Sequence, residues 1–135
     1  MTIFLDACVI IYWVEGVEPW YSRLTQNLDD IRAGSRNIDT AVSELSWLEC
    51  RIKPLRDNNV TLQAHFERFF SQPSMIRVGP GVQVIDTAAR IRARHKLSTP
   101  DALQAACALS LDTELVFLTN DRRFDRVPGL KTKVL

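Results

Sequence analysis

Apolar positions along the chain alternate between short unbroken runs and helical stripes. Ile3-Phe4-Leu5 is an all-apolar run that stops at Asp6, the pattern of a strand buried on both faces of a parallel sheet. A brief helix is expected over residues 9–14. Pro19 suits a helix start; Trp20, Leu24, Leu28 and Ile31 then repeat along one face, and Gly34-Ser35 closes the helix. Residues 38–42 read as a second strand, with Ser43 placed to cap the next helix. Leu45, Leu48 and Ile52 form the apolar stripe of that helix. Pro54 is expected to stop it, because proline lacks the N–H that a helix interior needs.

Beyond a break at Asn58-Asn59, Leu62, Phe66, Phe69 and Phe70 mark another amphipathic helix. A weaker strand over residues 75–78 ends at Gly79-Pro80-Gly81. Val84, Ala88 and Ile91 continue as a helix whose exposed side carries arginines. Thr99-Pro100-Asp101 combines a capping hydroxyl, a first-turn proline and an acid favoured by the helix dipole. Residues 102–109 are apolar nearly all round, which predicts a central, buried helix. A late strand over 115–118 runs into Thr119-Asn120-Asp121, and a turn at Val127-Pro128-Gly129 precedes an edge strand over 133–135. Strands alternating with helices predict an α/β fold: a three-layer α/β/α sandwich around a parallel sheet of four to five strands.

Composition narrows the picture without supplying chemistry. A chain of 135 residues with 46% hydrophobic and 24% charged residues is an ordinary globule, read as one domain over 1–135. Cys8, Cys50 and Cys107 are odd in number, far apart and without a C-x-x-C pair, which points away from a disulfide framework or thiolate zinc site. With no signal-like or membrane-spanning apolar stretch at the start, the expected setting is the reducing cytoplasm. Net charge is only +1, yet it is unevenly spread. Residues 1–48 carry three arginines and seven acids, net −4, and residues 49–135 carry fourteen Lys and Arg against nine acids, net +5. The basic clusters Arg51/Lys53/Arg56, Arg90/Arg92/Arg94/Lys96 and Arg122/Arg123/Arg126 are compatible with phosphate binding and equally with solvated helix faces.

The acids carry more. In open parallel sheets ligands bind beyond the carboxyl ends of the strands. Asp6 and Asp121 stand just after strands, and Glu49 and Asp101 lie early in helices that can start from the same edge. Taken singly, Asp6 reads as a helix cap, Asp101 as a dipole acid and Asp121 as a turn residue, while Glu44 competes with Glu49 on the same helix. Taken together, gathered carboxylates must bind protons or a cation, and an all-oxygen set suits Mg²⁺ or Mn²⁺. Such a site hydrolyses phosphodiesters through activated water and needs no Ser-His or Cys-His pair. His65 and His95 lie far along the chain from the acids and read as structural or exposed.

The stretches IFLDACVIIYWVE, TAVSELSWLEC, STPDALQAACAL and LVFLTNDRRFDRVPGL resemble the PIN-domain ribonucleases, and among them the VapC toxins of bacterial and archaeal toxin–antitoxin (VapBC) pairs. The resemblance runs from Ile3 to Leu135. It implies that Asp6, Glu49, Asp101 and Asp121 are both the catalytic acids and the metal ligands. Asp6 and Asp101 would hold the principal ion, and Glu49 and Asp121 would complete the shell. The run Ser43-x-x-Ser46-x-x-Glu49 decides for Glu49 over Glu44, and Thr119 matches a hydroxyl that supports the site. The family further implies Mg²⁺ or Mn²⁺, an RNA substrate, a homodimer and inhibition by a cognate, VapB-like antitoxin. Ala7 and Cys8 depart from the Thr and Asn or Ser usual there, which puts one supporting hydrogen bond in question. Arg51, Lys53, Arg122 and Arg123 are candidate phosphate contacts, being neighbours of Glu49 and Asp121 in sequence. Two related readings stand beside this one: a PIN nuclease that processes RNA without being a toxin, and a catalytically silent PIN-like module that only binds RNA or a partner. A phosphoryl-accepting receiver or phosphatase fits poorly, since Asp6 is followed by Ala7-Cys8 rather than by a second aspartate.

Overall fold

Five parallel strands in the order β3-β2-β1-β4-β5 form the centre of the computed structural model, which describes residues 1–135. The strands are β1 (Thr2–Leu5), β2 (Asp39–Ser43), β3 (Met75–Val78), β4 (Leu115–Thr119) and β5 (Thr132–Val134). The helices are α1 (Ala7–Glu15), α2 (Trp20–Ala33), α3 (Glu44–Arg56), α4 (Val60–Phe70), α5 (Val82–His95) and α6 (Thr99–Leu109), with a 3-10 helix over Arg122–Arg126. The chain therefore forms the three-layer parallel α/β/α sandwich that its alternating pattern predicts.

Strand alternation sends side chains to two separate cores. Ile3, Leu5, Val42, Val116 and Leu118 pack with Val9, Leu24, Leu28, Phe66 and Phe70 of α1, α2 and α4. On the other face Phe4, Ala41 and Phe117 meet α5, α6 and the 3-10 helix, with Phe4 and Phe117 stacked at 5.6 Å. Every strand crossover here must be right-handed to pack back on the sheet. The chain walks from β1 to β2 to β3, then returns past β1 to β4. That reversal puts the later helices on the opposite face and opens a crevice between the carboxyl ends of β1 and β4.

Most predicted elements fall where the pattern places them, each with a local cause. Gly16 ends α1 with φ 65°, a left-handed conformation that a side chain resists, and its N–H donates to the Tyr12 carbonyl. The Ser43 hydroxyl accepts from the Leu45 N–H to start α3; in α6 it is Ser98, not the expected Thr99, that caps, accepting from the Asp101 N–H, with Thr99 the first helical residue. The buried residues of α6 run almost without interruption from Ala102 to Ala108.

Helix α3 departs from expectation twice. Pro54 does not stop it; the helix continues to Arg56 with Pro54 buried inside. The Pro54 carbonyl accepts from the Asn59 N–H and the Gln63 side chain, so packing of the α3–α4 corner outweighs the missing helix bond. The Leu45/Leu48/Ile52 stripe is also not the buried face. Ser46, Cys50 and Pro54 are buried instead, leaving Leu48 and Ile52 55% and 51% exposed. Small residues on that face let α3 sit close to its neighbours, a preference that hydrophobic periodicity does not register.

Candidate active site at the carboxyl edge of the sheet

The pairing of β1 with β4 builds the first half of the site. Leu5 stands opposite Leu118, so the next residues, Asp6 and Thr119, are level on neighbouring strands. Asp6 is 8% exposed and caps α1: its Oδ1 accepts from the Ala7 N–H at 2.8 Å. Its Oδ2 accepts from the Thr119 hydroxyl at 2.7 Å and from the Cys8 thiol at 3.4 Å. Thr119 in turn accepts the Asp121 N–H at 3.0 Å, so one hydroxyl ties both strand-ending aspartates together. Burial raises the Asp6 carboxyl above its ordinary pKa, against the pull of these hydrogen bonds and with a further push from the Asp101 charge.

Helices α3 and α6 bring the other two acids. They meet where Gln104 Nε2 donates to the Ser46 hydroxyl at 2.7 Å in a fully buried contact. Ser46 lies three residues before Glu49, and Gln104 three residues after Asp101, so this tie holds the two acids' helices at one spacing. Glu49 is half-buried, and its pKa is raised by burial and then by the charges of Asp6 and Asp101. The Asp101 charge thus bears on both Asp6 and Glu49, and the Asp6 charge on Glu49, although the three come from widely separated stretches of the chain. Gln104 Oε1 has no hydrogen-bond partner although buried.

Asp121 sits differently. It caps the 3-10 helix through the Arg123 N–H at 2.9 Å, and the Arg123 guanidinium grips both its oxygens at 2.6 to 3.0 Å. The same guanidinium lies 3.7 Å from Asp101 Oδ2. The hydrogen bond from Arg123 holds the Asp121 carboxyl below the usual range.

Sequence neighbours supply supports that motif reading does not reveal. Asn120 Oδ1 accepts from the Cys8 thiol at 3.2 Å, and Asn120 Nδ2 donates to the Tyr12 hydroxyl, whose ring stacks on Trp20 at 5.4 Å. Cys8 thus supplies the side-chain contact to Asp6 that its identity had put in question, and burial followed by the Asp6 charge pushes its thiol up to about 12. Cys50 and Cys107 are buried, and all three cysteines are free. Among the candidate phosphate contacts, Arg51 lies over the Trp47 ring at 4.4 Å, Lys53 and Arg122 are exposed, and Arg123 is engaged by Asp121.

The donor set suits a hard divalent cation. All the candidate ligands are carboxylates, the buried ones are destabilised as anions, and the edge already draws in a cationic guanidinium. No three His, Cys, Asp or Glu side chains are close enough to hold an ion as they stand, and the Arg123 guanidinium lies against both Asp101 and Asp121.

A match to the PIN domain covers residues 3–130. The chain belongs to the PIN domain family. Solved structures with the same fold include VapBC2 from Rickettsia felis bound to a DNA fragment from its promoter, at 17% identity and TM-score 0.75 over 99% of this chain and 98% of that one. VapBC-1 from nontypeable Haemophilus influenzae matches at 20% identity and TM-score 0.75, over 99% and 98%. A toxin–antitoxin complex from Klebsiella pneumoniae matches at 18% identity and TM-score 0.69, over 98% and 99%. No curated protein matches the chain. No helix is long and apolar enough to cross a membrane.

Proposed function

We propose that this protein is a divalent-metal-dependent ribonuclease and the toxin of a toxin–antitoxin pair. The gathering of acids at one sheet edge carries the reading: the Thr119 hydroxyl joins Asp6 to the Asp121 backbone, Arg123 lies against both Asp121 and Asp101, and the buried Ser46–Gln104 contact ties the helices of Glu49 and Asp101. Asp6 and Asp101 would hold a Mg²⁺ or Mn²⁺ ion, with Glu49 and Asp121 completing its surroundings. Such an ion, when bound, lowers the pKa of water and neutralises charge at a phosphodiester under attack.

The chain's own residues do the rest. Thr119 and the Ala7 N–H fix the Asp6 carboxylate, so it meets a cation without reorganising. The Ser46–Gln104 tie positions Glu49 and Asp101. Arg123 shields Asp101 and Asp121 until a cation replaces it.

Membership of a nuclease family and likeness in fold to toxin–antitoxin complexes support the toxin reading and a VapB-like antitoxin as partner. A homodimer is supported by an uncovered apolar surface. Leu48 and Ile52 on α3 and Val82 and Ile85 on α5 are at least half exposed, beside recesses of about 180 and 260 Å³ that share Leu103.

The test is cleavage of total cellular RNA with Mg²⁺ or Mn²⁺, with and without chelator, by the wild type and by Asp6→Asn. Cleavage that needs the ion and is lost in the variant is expected. Undiminished cleavage by the variant overturns the site assignment. Growth arrest on expression, relieved by a co-expressed neighbouring small protein, separates a toxin from an RNA-processing nuclease. No cleavage even with Mn²⁺ would favour the silent binding module.

A further inference from the structure

A basic recess between the end of α5 and the end of the 3-10 helix has no role among the acids. Arg94 and His95 at the end of α5, Lys96 just beyond it and Arg126 at the end of the 3-10 helix line a recess of about 400 Å³. No acidic and no apolar side chain contributes to its lining. Arg94, Lys96 and Arg126 make no ion pair, whereas Arg77, Arg90 and Arg123 are each held by a carboxylate.

Helix polarity explains part of this set. Basic residues in a last turn complement the negative end of the dipole, which accounts for Arg94 and His95. It does not account for Arg126, which arrives from another element. Nor does it account for Lys96, a lysine at φ 54° in the left-handed position where glycine or asparagine usually stands. The Arg92 side chain donates to the Leu97 carbonyl at 3.0 Å and pins that turn. The fold therefore holds like charges together without an ion pair to any of them. An anion would relieve their repulsion.

The recess also neighbours the acids. Lys96 is separated from Asp101 only by the turn that caps α6, and Arg126 closes the short helix that Asp121 opens. At about 2 Å per residue, a 3-10 helix of this length places Arg126 roughly 10 Å from Asp121, a few nucleotides along a strand. Arg126 is also near enough to Asp121 to stabilise its anion.

We propose that the Arg94/His95/Lys96/Arg126 recess binds a backbone phosphate of single-stranded RNA a few nucleotides from the bond that the acids address. This rests on the ribonuclease reading and extends it with a substrate-positioning site separate from the acids. The group recognised is the phosphodiester, so the recess contributes affinity and register rather than base preference.

Binding of a fluorescein-labelled single-stranded RNA of about 12 nucleotides, followed by anisotropy in chelator to suppress cleavage, tests it. The variant Arg94→Gln/Lys96→Gln/Arg126→Gln is compared with Arg32→Gln/Arg36→Gln/Arg68→Gln, which removes equal charge from exposed, unpaired arginines elsewhere. Loss of three phosphate-neutralising charges is expected to weaken binding at least about tenfold at ~0.1 M salt and to flatten the log–log salt slope by about 2. The control is expected to lose less than about threefold and to keep most of the slope. Melting temperature and circular dichroism confirm folding of both variants. Equal losses in the two variants, or an unchanged recess variant, overturn the proposal while leaving the nuclease reading intact. A wild type that neither binds nor cleaves RNA overturns both.

Discussion

The junctions after β1 and β4 are built on the same plan and behave as opposites. Each strand ends toward an aspartate that caps the next helix, Asp6 through the Ala7 N–H and Asp121 through the Arg123 N–H. Asp6 is sealed under α1 with only neutral donors around it, and burial drives its carboxyl up. Asp121 sits at the rim with a guanidinium on it, and its carboxyl is driven down. Local sequence chooses the cap, and depth beneath solvent chooses the charge behaviour. Only the buried acid carries a cost of ionisation that a nearby cation would relieve and solvent does not.

The sharpest break of this comparison is catalytic. Asp6→Asn is expected to lower metal-dependent RNA cleavage at least about a hundredfold, and Asp121→Asn only about tenfold, each tenfold step being about 1.4 kcal/mol. Equal losses, measured as single-turnover rates, would make the two junctions equivalent. Thr119→Val removes the hydroxyl that joins them. It is expected to weaken Mn²⁺ binding by about 10- to 100-fold in calorimetry, the usual cost of losing a group that orients a ligand.

The helix side responds through stability. Ser46→Ala leaves Gln104 with neither end of its amide partnered and is expected to cost about 1–3 kcal/mol in chemical denaturation. The two strand-end acids should also give opposite pH dependence in chelator. Because the Asp6 pKa is raised, the folded state holds its proton above pH 3.8, and wild type should lose stability relative to Asp6→Asn as pH climbs through the window just above that value. Asp121 has a lowered pKa, so its contribution is present above 3.8 and fades as pH falls below. Melting curves from pH 3 to 7 read both signs. The smallest effect belongs to Arg123→Gln: the Asp121 carboxyl should titrate closer to its ordinary value by NMR, with almost no change in stability at so exposed a pair.

The layers and all five strands were legible because short apolar runs and helical stripes report burial directly. Both strand-end aspartates were legible for the same reason, since a polar residue closing an apolar run marks the edge of a sheet. Glu49 was not separable from Glu44 by pattern, and the structure sets Glu44 apart by pairing it with Arg77 at 2.6 Å. The outward turn of α3 was hidden because its buried face is made of Ser46, Cys50 and Pro54, and of these hydropathy ranks only the small Cys50 as core, below the leucines and isoleucine of the opposite stripe. The Ser46–Gln104 tie, the Asn120 bridge and the Arg94/His95/Lys96/Arg126 recess join residues far apart in the chain. Only tertiary geometry brings such partners together.

The union of strand-borne and helix-borne acids also has a mechanical side. Asp6 and Asp121 are anchored to adjacent, fully paired strands, whereas Glu49 and Asp101 ride on helices tied to each other by a single buried amide contact. Any drift of one of these helices would break that buried contact or drag the other helix along, so the helix-borne acids travel as a pair while the strand-borne ones are clamped by the sheet.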